Sequence, residues 1–116
     1  MTRNQRTVEM YLDGFRRTDR EQILSCLTSD VRWVIPGMFD IQGKDAFGEH
    51  IVDEGFTGSP EIVVSRIAEA RDLVIAEGTV RAPRTDATVL SLAFCDVFEM
   101  QDGKIRQLVS YLMETK

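Results

Sequence analysis

From Glu61 onward the chain reads as four successive stretches of strand-forming residues, Glu61–Ala70, Asp72–Ala82, Thr88–Met100 and Lys104–Met113. The turn signals between them are short: Arg71-Asp72, Pro83-Arg84-Thr85-Asp86 and Asp102-Gly103. Connections this brief cannot carry the long crossover that parallel neighbours need, so these four segments form an antiparallel meander. Such a sheet must bury one face, and what precedes it supplies the cover. Val8, Tyr11, Leu12 and Phe15 recur at helical spacing and place one aromatic-rich stripe on a helix from about Asn4 to Arg17. Thr18-Asp19, with Gln22 three residues after Asp19, is a capping signal for a second helix carrying Ile23, Leu24 and Leu27 and ending by Ser29-Asp30. Val31–Pro36 is a strand closed by Pro36-Gly37, Met38–Gly43 is a loop or short extended piece, and Lys44–Gly55 is a third helix with Phe47 and Ile51 on one side. The order ααβαββββ predicts an α+β fold in which a curved antiparallel sheet wraps three N-terminal helices. A sheet bent in this way forms a cone whose interior holds a small apolar cavity.

A length of 116 residues predicts one domain, spanning residues 1–116, and 43% hydrophobic with 28% charged residues gives it the composition of an ordinary globular protein. The net charge is −5, the wrong sign for tracking phosphates, and the densest basic cluster, Arg16, Arg17 and Arg20, is interleaved with Asp13, Asp19 and Glu21. Nucleic acid is therefore not an expected partner. The N-terminal residues carry no signal-peptide pattern and no apolar run reaches the roughly 18–20 residues of a membrane span, so the expected location is the cytoplasm, with no membrane partner. Cys26 and Cys95 stand apart inside apolar patterns with no ligand spacing around them; both are expected as buried thiols, and no metal site is expected.

The chemistry centres on Asp96. A period of two along the third strand of the meander places Leu92, Phe94, Asp96, Phe98 and Met100 on one face. An ionised, unpaired carboxylate in so apolar a row costs several kcal/mol, so Asp96 is either protonated or held by a partner such as Arg66, Arg81 or a backbone bulge. Tyr11 shares the stripe of Val8 and Phe15; its ring is buried and its hydroxyl meets either a carbonyl or a ligand. If Tyr11 and Asp96 converge inside the cavity, they form a pair of hydrogen-bond donors suited to a carbonyl or enolate oxygen. The proton acceptor would then come from His50, Glu77 or Asp40. Of these, Glu77 shares a strand face with Arg81, which would neutralise it. Phe15, Trp33, Met38 and Phe98 are candidates for the apolar wall that contacts the ligand.

The opening Tyr11–Gly37, the Gly43-Lys44-Asp45-Ala46 start of the third helix, and the closing Asp96–Met113 together resemble the nuclear transport factor 2-like superfamily. Within it they are similar to SnoaL-like polyketide cyclases, ketosteroid isomerases and limonene-epoxide hydrolases. The resemblance spans nearly the whole chain and implies a cystatin-like cone. It also implies a homodimer formed through the convex sheet face, where Ala93, Cys95 and Val97 lie. Against ketosteroid isomerases, Tyr11 falls on the oxyanion-hole tyrosine and Asp96 on the second donor, while the position of the base is occupied by Ile35. Against limonene-epoxide hydrolases, Ser110 stands where an essential aspartate belongs, and Glu77-Gly78-Thr79 does not reproduce their Arg-x-Asp pair. The expectation is a small protein whose cavity binds a small hydrophobic, carbonyl-containing molecule, acting as an isomerase or polyketide cyclase by acid/base chemistry without a cofactor. The alternatives are a non-catalytic ligand-binding or dimerisation module of the same fold, and an epoxide hydrolase-like enzyme.

Overall fold

The apolar stripe of the first helix is anchored at both ends. In the computed structural model, which describes residues 1–51 and 55–115, α1 spans Arg3–Arg17. Thr2 caps it by accepting from the Gln5 amide, and the Gln5 side chain answers with a bond to the Thr2 amide. Thr18 ends it in a left-handed turn (φ 51°). Asp19 then caps α2, Arg20–Ser25, by accepting from the Gln22 amide at 3.0 Å, as the sequence predicts. The two helices touch at Gly14, where a Cβ would sit 2.8 Å from Ile23 Cγ1. Chain then continues through β1 (Leu27–Ile35), β2 (Phe39–Gln42), α3 (Lys44–Glu49), β3 (Glu61–Ala70), β4 (Leu73–Pro83), β5 (Val89–Gln101) and β6 (Lys104–Glu114).

The architecture is α+β: three helices and one curved, open, six-stranded sheet in the order β2-β1-β6-β5-β4-β3. All neighbours are antiparallel except β1 and β6, which run parallel and bring Trp33 beside Leu108. That parallel junction makes the sheet mixed. The buried face carries Val74 and Ala76 from β4, Phe94, Asp96 and Phe98 from β5, and Ile105 and Leu108 from β6. Val8, Tyr11 and Leu12 of α1 complete the core together with Phe47 of α3. Each fully buried Phe contributes on the order of 1.5–3 kcal/mol of apolar burial.

Several boundaries differ from the sequence expectation. α2 stops at Ser25 and β1 begins at Leu27, because Leu27 and Val31 are buried strand residues that the sequence also allowed on a helix face. The expected loop after Met38 forms β2, paired with β1 from Arg32↔Gln42 to Ile35↔Phe39. α3 ends at Glu49, and the expected continuation through residues 52–54 lies outside the described residues. Cys26 is buried, whereas Cys95 faces outward from β5 and is only partly covered; both are free thiols. Among the described residues no helix is long and apolar enough to cross a membrane.

Candidate functional site

The concave side of the sheet does not fill completely. Between α1, β1 and the inner rows of β3–β6 lies a cavity of about 190 Å³. Phe15, Trp33 and Phe94 supply aromatic walls, and Ile62, Val80 and Leu92 aliphatic ones. Small residues make room in front of Asp96 and Phe94, since their direct partners on β4 are Ala76 and Gly78. A Cβ on Gly78 would lie 1.9 Å from the Val63 carbonyl oxygen, so only glycine permits the bulged β3 to approach β4 there.

One polar spot interrupts this lining, made of Tyr11, Asp96 and Ser110. Asp96 is 8% exposed, and burial raises its carboxyl pKa to about 7 against the opposing effect of a hydrogen bond from Ser110. Ser110 is its direct cross-strand partner. The indole N–H of Trp33 can only donate, and it does so to Ser110 Oγ at 3.2 Å. The Ser110 proton is thereby directed to Asp96, giving a chain Trp33→Ser110→Asp96 that favours the carboxylate while burial favours the acid. Tyr11 is held by edge-to-face contacts with Phe15 (5.1 Å) and Phe98 (5.5 Å). Burial first, then the negative charges of Asp96 and Cys26, hold its phenol well above the usual tyrosine range. It therefore remains a donor at neutral pH.

The structure thus brings Tyr11 and Asp96 to one cavity, with Phe15 and Trp33 beside them. It separates the remaining candidates from that place. His50 lies just past α3 on the surface, with Nδ1 2.9 Å from the Ala46 carbonyl and its ring against Phe39. Glu77 points to the outer face, paired with Arg66 rather than Arg81, because the inner face of β4 belongs to Val74, Ala76 and Gly78. Asp40 is locked to Arg32 across the β1–β2 hairpin at 2.5 and 2.9 Å. Met38 is 71% exposed in the turn between β1 and β2, far from the apolar wall assigned to it from the sequence. Phe98 is fully buried beneath the Tyr11 ring and supports the site without lining it.

Ile35 does line the cavity, so an apolar side chain stands where the resemblance to ketosteroid isomerases called for a base. Ser110 was visible in the sequence as a replaced aspartate, not as a partner of Asp96. Among the described residues no Lys, Arg or His borders the cavity, so they offer an anionic ligand no counter-charge there. Among the described residues no group of three or more His, Cys, Asp or Glu converges as a metal site would require.

The same fold recurs among solved structures. An epoxide hydrolase of the LEH-like type from M. tuberculosis superposes with a TM-score of 0.85 at 22% identity, covering 96% of this chain and 83% of that one. TerC, co-crystallised with polyporic acid, matches at 0.84 and 26% identity over 94% of this chain and 90% of that one. An NTF2-like protein from Anabaena variabilis matches at 0.85 and 20% identity over 99% and 96%. No curated protein matches. The model of the SnoaL-like domain covers residues 8–108, which takes in α1 from Val8 onward and the Tyr11 and Asp96 positions, and the chain belongs to the SnoaL-like domain family.

Proposed function

We propose that this protein takes a small, uncharged carbonyl compound into its cavity and moves a proton on it without a cofactor, with Tyr11 as hydrogen-bond donor and Asp96 as the proton acceptor. One observation carries the reading: among the described residues the only titratable side chains lining the cavity are Tyr11 and Asp96, and Asp96 titrates near neutrality, at about 7. A base poised there exists as carboxylate in a large fraction of molecules at neutral pH and still returns its proton readily. In the reaction the carboxylate takes a proton from the carbon beside the carbonyl. The C–H electron pair becomes the C=C bond of an enolate, and the carbonyl π pair moves to oxygen, where the Tyr11 hydroxyl donates. In a β,γ-unsaturated compound the enolate extends to a dienolate, and return of the proton from Asp96 to the γ-carbon shifts the double bond; with a second carbonyl in the same molecule, attack of the enolate carbon on it closes a ring and the proton held by Asp96 goes to the new alkoxide. Asp96 thus takes the role that the sequence had sought in His50, Glu77 or Asp40. The solved structure of TerC with polyporic acid supports a small-molecule role for this fold.

The test is exchange of deuterium from heavy water into cyclohexanone, followed by NMR. The expected result is exchange that rises with pH through about 7 and is lost in Asp96→Asn. Exchange that survives in Asp96→Asn ends the reading. Binding without exchange in the wild type instead supports the non-catalytic module, which the apolar Ile35 also favours.

A second copy of this chain completes the proposal. The outer sheet face exposes Val63, Leu73, Ile75, Tyr111 and Met113 around the rows Ile75–Val97–Val109 and Thr79–Ala93–Met113. This surface, apolar apart from the Glu77–Arg66 pair that lies between the two rows, suits a homodimer interface.

A further inference from the structure

The cavity that holds Asp96 has a neighbour. A second chamber of about 200 Å³ lies next to it, by the C-terminal end of α1, and both chambers are lined by Phe15 and Pro60. Its remaining walls include Ile51, Phe56, Ala82 and Pro83. Ala82 stands two residues beyond Val80 of the first chamber, about 7 Å further along β4. Among the described residues no charged side chain lines this second space, and two of its polar groups are already engaged: Thr18 Oγ1 with Ser59 Oγ at 2.7 Å, and the Pro83 carbonyl with the Thr57 amide at 2.9 Å. These described walls offer a ligand apolar contact.

The first chamber, at about 190 Å³, holds one ring with a short substituent, since an apolar cavity of about 150 Å³ takes up benzene. Phe15 is the partition between the two spaces, its ring held edge-on to Tyr11 at 5.1 Å and to Trp33 at 6.1 Å. We infer that the two chambers form one bipartite site for an uncharged one-ring carbonyl compound bearing an apolar tail, with the carbonyl at Tyr11 and Asp96 and the tail passing Phe15 and Pro60 to lie against Ala82 and Phe56. This assignment rests on the carbonyl-binding reading above and adds to it what selects the ligand. The inner chamber recognises the functional group, and the outer one measures chain length.

The experiment is a series of cyclohexanones carrying an unbranched alkyl chain, from methyl to hexyl, on the carbon opposite the carbonyl. Affinities are measured by calorimetry for the wild type and for Ala82→Phe, which fills the outer chamber. Each methylene buried should tighten binding about fourfold. In the wild type the gain should run through to hexyl, and in Ala82→Phe it should level off at a shorter chain. Chain-length profiles of the same shape in both proteins overturn the bipartite site while leaving the carbonyl reading standing. The same holds for a wild-type profile that is flat after the methyl member. Failure of every member to bind the wild type overturns both. Binding weakened in Asp96→Asn by the same factor at every chain length, with the wild-type slope intact, supports the division of labour between the chambers.

Discussion

Replacing Asp96 by asparagine keeps the shape of the side chain and removes its titration. In the unfolded chain an aspartate titrates near 3.9, whereas in the folded protein Asp96 titrates at about 7. Between these two values the folded state holds one proton more than the unfolded state. Stability is therefore fully present below about pH 4, falls by up to about 1.4 kcal/mol per pH unit, and has lost its whole contribution above about pH 7. Three units of separation correspond to a penalty on the order of 4 kcal/mol at and above neutrality. Asp96→Asn does not carry that penalty, because the amide oxygen can still accept from Ser110 and no charge is desolvated. The expected result is a variant similar to the wild type near pH 4 and more stable at pH 8, by a margin worth roughly 15 °C in Tm for a domain of this size. Thermal melts of both proteins across that range, plotted as a difference, isolate Asp96 from every other ionising group. Parallel curves, or a variant that melts lower at pH 8, would mean that Asp96 is a structural anion, and the burial argument would be refuted.

Ser110→Ala removes the one hydrogen bond that opposes burial, so the Asp96 midpoint should move further above about 7 in a carbon-13 carboxyl titration, and deuterium exchange at neutral pH should slow; an unmoved midpoint counts against the Trp33–Ser110–Asp96 chain. His50→Ala and Glu77→Gln, both outside the cavity, should leave the pH profile of exchange in place and change stability by no more than about 0.5 kcal/mol, as denaturant titration would read. Val97→Glu puts a charge into the outer apolar rows and should halve the mass seen by light scattering at micromolar concentration; a wild-type monomer, or an undiminished variant dimer, rules out that face as the interface.

Much of this arrangement is written in local pattern. The stripe of Val8, Tyr11 and Phe15, the Asp19 cap and the alternation that turns Asp96 inward on β5 all follow from spacing alone. What could not be read are choices between two equally apolar faces. In β4 both parities look buried, and Glu77 was assigned a face that turns out to be the outer one. Ala76 and Gly78 go inside because Asp96 and Phe94 stand opposite them, a fact of the neighbouring strand rather than of β4 itself. Ser110 illustrates the same limit. Counting back from the Asp102-Gly103 turn sets Val109 against Asp96, but a bulge, in which Glu99 pairs with Gln107 and Met100 with Ile105, shifts the register by one and delivers Ser110 instead. The parallel junction of β1 with β6 leaves no local trace, since it joins segments from opposite ends of the chain.

That junction governs when the protein can be finished during synthesis. Trp33 and Ser110 meet across 77 residues, and β6 is the wedge that joins the β1–β2 hairpin to the meander. A nascent polypeptide on the ribosome can form α1 and pair β3 with β4, but the binding chamber has no floor until the segment through Glu114 has emerged. With so many contacts between distant segments, maturation is expected to be slow for the protein's size, and the inward rows of β5 stay exposed to aggregation for as long as the wedge is missing.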